Sequence, residues 1–241
     1  MQFRPKPFQL PRPGWNFHTL APVFLLLLSL PYFLTNGNHE TVARTYEWLG
    51  LSRPGLMDQG HVWQLLSYPF LHGSWAHWLG NSLFIYYFGG RIHDIFGERE
   101  VIRTASWSVL AGGIFHLFLQ GNGLLIGASG AGMGLFVALT VASPESKMFP
   151  LPLRARNLRN GCILASLLLL LLIPSLRVPG FREVGQFLIS RKADSFLHIG
   201  HACHLGGALA GWLAMRKYLA RPITLAQLKK ERAAREKSDA A

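Results

Sequence analysis

Residues 127–143 read Gly-Ala-Ser-Gly-Ala-Gly-Met-Gly-Leu-Phe-Val-Ala-Leu-Thr-Val-Ala-Ser, a stretch without charge whose first half is crowded with glycine. The pattern predicts a membrane-embedded helix, and the small residues predict close packing against a neighbouring helix. From Ser129 to Ser143 such a helix advances about 21 Å, whereas the hydrocarbon core of a bilayer is about 30 Å thick. If the helix ends at the cytoplasmic surface, Ser129 therefore lies about 10 Å below the outer surface.

The shortness of this helix places the preceding loop, residues 121–127, inside the membrane. Non-helical backbone at that depth is tolerated only beside protein or a water-filled cavity. The Ser129 hydroxyl, at a helix N-terminus, is thus expected to face a hydrated hollow within the bilayer. The flanking glycines, Gly127 and Gly130, would let backbone N–H groups approach a ligand.

The composition of the whole chain agrees with a membrane protein. Of its 241 residues, 50% are hydrophobic and only 15% are charged, and the mean hydropathy is +0.23. Soluble domains carry about 25% charged residues. These values exclude an ordinary soluble globule, and the wealth of apolar residues excludes a disordered chain. The sequence predicts an all-α polytopic membrane protein.

Six apolar segments predict six spans in a single membrane domain, residues 16–220. An N-terminal segment, 1–15, and a charged tail, 221–241, flank this domain. The first span is expected to be retained, because it lacks the small-residue end of a cleavable signal. The six segments lie at about 18–34, 74–90, 101–120, 129–143, 160–174 and 199–220.

The basic residues predict the orientation and explain the net charge of +12. With the N-terminus inside, 18 of the 24 Lys and Arg residues fall in inside segments. This bias predicts a multi-pass protein of the cell (inner) membrane with both termini in the cytoplasm. The basic excess is expected to meet anionic lipid and not nucleic acid, because no basic cluster is interleaved with stacking aromatics outside the spans.

Three blocks place polar residues within apolar segments, where polar groups are costly and are functional candidates. The first block holds His72, His77 and Asn81, of which the last two share one face of a helix because they are four residues apart. The second is the glycine-flanked Ser129. The third holds His204, which is followed by glycines three and seven residues later.

These residue types suit acyl transfer. A serine nucleophile needs a base, and no acidic residue lies in the fourth or sixth segment, so a Ser129–His204 dyad is possible but a triad has no obvious acid. The glycines after His204 would let its helix approach the helix of Ser129. His77, Asn81 and the Ser129 backbone N–H could donate to an oxyanion.

At these residues the chain resembles the rhomboid family of intramembrane serine proteases. The resemblance rests on His72-x4-His77-x3-Asn81, on Gly127-x-Ser129-Gly130-x3-Gly134 and on His204-x2-Gly207-x3-Gly211, one block per span and in the family's order. It covers residues 15–220. It implies a six-helix core and the cleavage of membrane-anchored proteins in or near their spans, with the bilayer as the second partner and without a cofactor or metal.

The resemblance also implies a role for each candidate residue. Ser129 would be the nucleophile and His204 the general base, without a third acid. His77 and Asn81 would support the oxyanion. His72 would have a structural or substrate-contact role, and Gly127 and Gly130 would support the nucleophile.

The chain departs from the family pattern at three positions. Gln64 follows Trp63 where the family often has arginine, which puts the anchoring of the first outer loop in doubt. Asp94 is the nearest acid to the end of the second span, where the family usually has glutamate. Met133 stands where the family often has an aromatic residue that stacks on the catalytic histidine.

Other readings of the same residues remain open. An inactive rhomboid-like protein could bind client spans without cleaving them. Buried histidines could relay protons in a transporter, although transporters usually show internal repeats and this chain has none. A zinc site of His198, His201 and His204 lacks an accompanying acidic residue. His61, His93 and His116 are expected to be interfacial or packing residues, and Cys162 and Cys203 to be small core residues.

Overall fold

The computed structural model describes residues 16–120, 123–148, 152–193 and 195–220. The predicted N-terminal segment, 1–15, and the predicted tail, 221–241, lie outside these residues.

The described chain is mostly helical, as predicted, with one short antiparallel hairpin of β1 (Lys147–Met148) and β2 (Leu153–Arg154). Short 3-10 turns cover Tyr68–Phe70, Pro174–Leu176 and Ser195–His198. The α-helices are α1 (Phe17–Thr35), α2 (Glu40–Leu49), α3 (Arg53–Met57), α4 (Gln64–Ser67), α5 (Trp75–Phe84), α6 (Gly90–Phe96), α7 (Glu98–Leu119), α8 (Ser129–Ala142), α9 (Ala155–Leu171), α10 (Phe181–Ser190) and α11 (His201–Leu219).

Two of the described helices, α1 and α7, are both long and apolar enough to cross a bilayer, and α8 is a shorter apolar helix. The observed α8 begins at Ser129, as the sequence predicts, and its 14 residues span about 21 Å. The second predicted segment is longer than expected. Its helix α5 continues through a π-helical turn, Ile85–Gly89, into α6 and stops at Gly97, whose φ of +85° ends the helix. The count of six spans remains a prediction.

Helices α7, α8 and α11 pack against one another at the centre of the bundle, and α8 is largely buried there. A Cβ added at Gly207 would overlap the carbonyl oxygen of Gly130, and one at Gly211 would overlap that of Gly134. The two backbones are therefore in direct contact, which only glycine permits. This contact fixes the start of α11 beside the start of α8.

The loop between α1 and α5 is anchored by Gln64, whose side chain is fully buried. Its Nε2 donates to the carbonyl oxygens of Glu47 and Trp48 at 3.0 and 3.3 Å, and its Oε1 accepts from the Ser52 N–H at 3.2 Å. Trp63 Nε1 also donates to the Trp48 carbonyl at 3.0 Å. The amide thus both donates and accepts, and the departure at Gln64 leaves this loop anchored.

Candidate active site

A cavity of about 680 Å³ lies among α5, α7, α8 and α11. Four of the residues singled out from the sequence line it together: Ser129, His204, His77 and Asn81. Most of the remaining wall is apolar, so these polar groups converge in an otherwise hydrophobic hollow. Such a setting strengthens electrostatic interactions with any group bound there.

Ser129 is the first residue of α8 and is half-buried. The chain reaches it through Gly127, whose φ of +105° lies in the region that favours glycine and whose N–H donates to the Tyr68 carbonyl at 3.0 Å. A Cβ at Gly127 would lie 2.5 Å from the His77 ring and 3.2 Å from Asn81 Nδ2. Gly127 therefore leaves the space that lets the histidine and the amide approach the loop.

His204 lies in the first turn of α11 and is half-buried. Its helix is held against α8 by the contact of Gly207 with Gly130. Within the described residues, neither the Ser129 hydroxyl nor the His204 imidazole has a hydrogen-bond partner, so both remain available to a molecule in the cavity. Nucleophile and base often approach closely only when substrate is bound.

Asn81 belongs to a buried chain of hydrogen bonds that reaches α1. Its Nδ2 lies 2.9 Å from His72 Nε2, and His72 Nδ1 lies 3.3 Å from Ser29 Oγ, which in turn donates to the Phe70 carbonyl at 3.2 Å. Burial and, to a lesser extent, the neighbouring His77 lower the pKa of the His72 imidazole to about 3, so the ring is neutral at pH 7.

These contacts determine which atom is the donor in each hydrogen bond between Asn81 and Ser29. Asn81 Nδ2 can only donate, so His72 Nε2 accepts and His72 Nδ1 carries the proton, which it donates to Ser29 Oγ. His72 is fully buried, and the cavity wall nearest to it is formed by Asn81. Of the two roles left open by the sequence, this location fits the structural one.

The Rhomboid domain model matches residues 59–221, more than half of the chain. The chain belongs to the rhomboid family. It is 25% identical over 195 residues to "Rhomboid-like protease 3" of Toxoplasma gondii, covering 80% of this chain and 64% of that protein. It is 27% identical over 180 residues to "RHOMBOID-like protein 5" of Arabidopsis thaliana, covering 74% of this chain and 51% of that protein. The chain thus spans less than two thirds of the length of either relative, and family membership makes it a membrane protein.

Two of the departures from the rhomboid pattern can now be located. Met133 lines the cavity together with His204, where its flexible thioether can pack beside imidazole. Asp94 lies in α6, and its Oδ1 is 3.5 Å from His93 Nδ1. It takes no part in lining the cavity.

The sequence predicts that His116 of this rhomboid protein is an interfacial or packing residue, and its burial agrees with packing. The side chain is buried, with 5% of its surface exposed, but it lines the same cavity as Ser129. A histidine inside an apolar segment is itself a signal for a functional position. The sequence could not show which way α7 turns this residue.

Gln120 was not singled out from the sequence, yet it ties the end of α7 to the start of α11. Its Nε2 donates to the Ile199 carbonyl at 2.9 Å, and its Oε1 accepts from the Ala202 N–H at 3.3 Å. Ala202 precedes His204 by two residues in the sequence. The Gln120 amide therefore holds the turn that carries this histidine, and no local sequence pattern announces the contact.

The histidines before His204 do not converge on a metal among the described side chains. His201 Nε2 donates to the Phe196 carbonyl at 2.7 Å, which holds the ring against the preceding 3-10 turn. The side chain of His198 lies outside the described residues.

Proposed function

We propose that this rhomboid protein is an intramembrane serine endopeptidase that cleaves membrane-anchored proteins in or near their transmembrane segments. The observation that carries the proposal is the convergence of Ser129, His204, His77 and Asn81 on one cavity. A hydroxyl nucleophile, an imidazole base and two possible hydrogen-bond donors are the groups that acyl transfer requires.

In the proposed mechanism, His204 takes the proton of Ser129 Oγ as that oxygen attacks the scissile carbonyl carbon. The tetrahedral oxyanion is stabilised by the Ser129 N–H at the start of α8, by Asn81 Nδ2 and by His77. The imidazolium then gives its proton to the leaving amine as the C–N bond breaks, which leaves an acyl-enzyme. Water, deprotonated by His204, attacks the acyl carbon. The imidazolium then returns this proton to Ser129 Oγ as the ester C–O bond breaks, which releases the carboxylic acid product and restores the enzyme.

The proposed role of His72 is to position Asn81. Because His72 Nε2 accepts from Asn81 Nδ2, it holds the amide with its donor group at the side that also faces Gly127. Ser29 fixes the His72 tautomer that makes this possible. The fold therefore orients the Asn81 donor before the substrate binds.

The proposed substrate is a transmembrane helix that unwinds at the cut. A helical span hides its carbonyl groups in i→i−4 hydrogen bonds, so Ser129 can attack only after local unwinding. Spans that contain Gly, Ala or Pro are expected to be preferred. Gly and Pro destabilise a helix and so lower the cost of unwinding, and Gly and Ala are small at the cut. A poly-Leu span cleaved as fast as a Gly-containing one would contradict this preference.

The proposed topology has six spans, both termini in the cytoplasm and Ser129 about 10 Å below the outer surface. The depth can be measured with a cysteine at position 129 and impermeant thiol reagents, in a background that lacks Cys162 and Cys203. Labelling from the outside alone is expected. Labelling from the cytoplasm alone, or a C-terminal reporter that is active only outside the cell membrane, would contradict the topology.

A second candidate function is the binding of client spans without cleavage. The observation in its favour is that Ser129 and His204 form no hydrogen bond with each other in the described structure. Incubation of the purified chain with a single-span substrate separates the two, because only the protease forms product. The Ser129→Ala variant should form none, whereas Ser143→Ala, at the other end of α8, should cleave normally. A serine-reactive fluorophosphonate should label Ser129, as mapped by mass spectrometry. Product that persists in Ser129→Ala would refute the protease assignment.

A further inference from the structure

Helix α10 stands apart from the bundle. It follows the end of α9, and its main contact is the 3-10 turn Pro174–Leu176. Gly185 is its buried residue, and a Cβ there would overlap the Leu172 carbonyl oxygen. The helix therefore crosses over the end of α9. In the proposed topology α9 spans the membrane, so its end lies at a bilayer surface, and α10 lies at that same surface.

The exposed surface of α10 is divided into two faces. Val184 and Phe187, three residues apart, form an apolar stripe with 48% and 56% of their surfaces exposed, and Ile189, 46% exposed, lies at the border with the polar side. The polar residues Arg182, Gln186 and Ser190 follow one another at four-residue spacing on the other side. A helix with this division and with flanking Lys or Arg residues is typical of one that lies in a membrane interface.

Four basic residues surround this helix: Arg177, Arg182, Arg191 and Lys192. In the described part of the chain no ion pair involves any of them, and the segment 172–200 contains two acidic residues, Glu183 and Asp194. In the proposed topology these cations lie outside, against the positive-inside bias. Their position therefore calls for a negative partner at that surface.

The charge and the apolar stripe meet at one place. The guanidinium carbon of Arg191 lies 5.3 Å from the centre of the Phe187 ring. A long basic side chain that covers an aromatic ring can keep its charge at the level of the headgroups while the ring enters the acyl region. The preceding helix α9 also has exposed leucines, Leu164, Leu167 and Leu168, with 42–54% of their surfaces exposed.

We propose that α10 is an interfacial helix that binds anionic phospholipid, with Val184 and Phe187 in the acyl region and Arg182, Arg191 and Lys192 on the headgroups. The lipid surface is the occupant because the stripe is apolar, because it lies beside the end of α9, and because the surrounding charge is positive. This proposal is independent of catalysis, and its test contains no cleavage assay.

The test measures the depth of α10 in the full chain, reconstituted in vesicles of phosphatidylcholine with a minority of phosphatidylglycerol. A fluorescent thiol label is placed by Val184→Cys or, as the matched control on the polar face, by Gln186→Cys. Both variants carry Cys162→Ala, and the parent chain with only the buried Cys203 supplies the background. Brominated lipid should quench the label at 184 and aqueous iodide the label at 186.

The lipid preference is measured with the same label. Brominated phosphatidylglycerol should quench the label at 184 about twofold more strongly than brominated phosphatidylcholine. Substitution of Arg182, Arg191 and Lys192 by Gln should abolish this difference, substitution of both arginines by Lys should keep it, and Arg53→Gln should not change it. Far-UV circular dichroism and gel filtration check that each variant is folded.

Three results would overturn the proposal. Equal quenching of positions 184 and 186 by iodide would show that the stripe faces water. Disulfide cross-links through position 184, with little quenching by lipid, would assign the stripe to a second copy of the chain. An unchanged preference for phosphatidylglycerol in the triple Gln variant would remove the basic residues from the binding site.

Discussion

Helices α1 and α8 are both rich in apolar residues, yet they occupy opposite positions in the bundle. Four of the 19 residues of α1 are buried, and ten of the 14 residues of α8 are buried. The difference follows from side-chain size, since α8 carries glycine and alanine where α1 carries leucine and phenylalanine. Hydropathy thus identifies a membrane helix, and the spacing of small residues identifies the helix at the centre.

The largest expected effect lies at the head of α8. Ser129→Ala and His204→Ala should each lower cleavage more than about 10³-fold, and the double variant should be no worse than either, because nucleophile and base act as a unit. Product formation from a single-span substrate measures this, with thermal unfolding as the check of folding. Activity above about a hundredth of wild type in Ser129→Ala would place the reaction elsewhere.

The packing contrast can be tested by placing a valine in each of the two environments, one closely packed and one exposed. Gly207→Val should lower the free energy of unfolding by about 3 kcal/mol or more, because its side chain would overlap the Gly130 backbone. The matched change on α1, Leu27→Val, should cost less than about 0.5 kcal/mol, since Leu27 is 60% exposed. Denaturant titration in detergent measures both, and equal losses would erase the distinction between the two helices.

Removal of one oxyanion donor is expected to have the next largest effect. Loss of such a donor lowers kcat about 10²–10³-fold in a soluble protease, and we expect about 10–100-fold for Asn81→Ala because His77 and the Ser129 N–H remain. KM should change little. Ser82→Ala is the control, because Ser82 is a buried neighbour whose hydroxyl has no hydrogen-bond partner among the described residues. An unchanged kcat in Asn81→Ala would remove this residue from the mechanism.

The smallest expected effect comes from Ser29, one of the few buried residues of α1. It links this otherwise exposed helix to the active site through His72. Ser29→Ala removes the acceptor of the His72 Nδ1 proton, and a hydrogen bond of about 1 kcal/mol corresponds to about a fivefold loss in kcat. The neighbouring change Leu28→Ala should leave kcat unaltered. Ser29→Ala should add nothing in an Asn81→Ala background, since Ser29 acts through Asn81. A further loss in that double variant would assign Ser29 a separate role.

The local features of the site could be predicted from the sequence, because they depend on residue type and spacing along one helix. The start of α8 at Ser129 follows from the glycine-flanked serine before an apolar run, and the observed helix begins there. His77 and Asn81 line the same cavity, as their four-residue separation predicts. The membership of the rhomboid family, which the three blocks indicated, is confirmed by the match over residues 59–221.

Contacts between distant segments could not be predicted in the same way. Gln120 bonds to residues about 80 positions later in the chain, and Ser29 approaches His72 across 43 positions. From the sequence alone, Gln64 puts the anchoring of the first outer loop in doubt, whereas its buried amide forms hydrogen bonds with three backbone groups there. Helix α10 is not among the six predicted segments, because ten residues are too few for a firm periodic signal.

The amino-acid sequence by itself determined the membrane class, the family, the short helix and the residues offered to the site, since periodicity, hydropathy and motif spacing are properties of the chain read in order. The tertiary structure decided which of those residues share a cavity, that His72 lies behind Asn81, and that Gln120 holds the turn of His204. The physical reason is that hydrogen bonds and close glycine contacts act over about 3 Å, a distance set by how the helices pack and not by their separation along the chain.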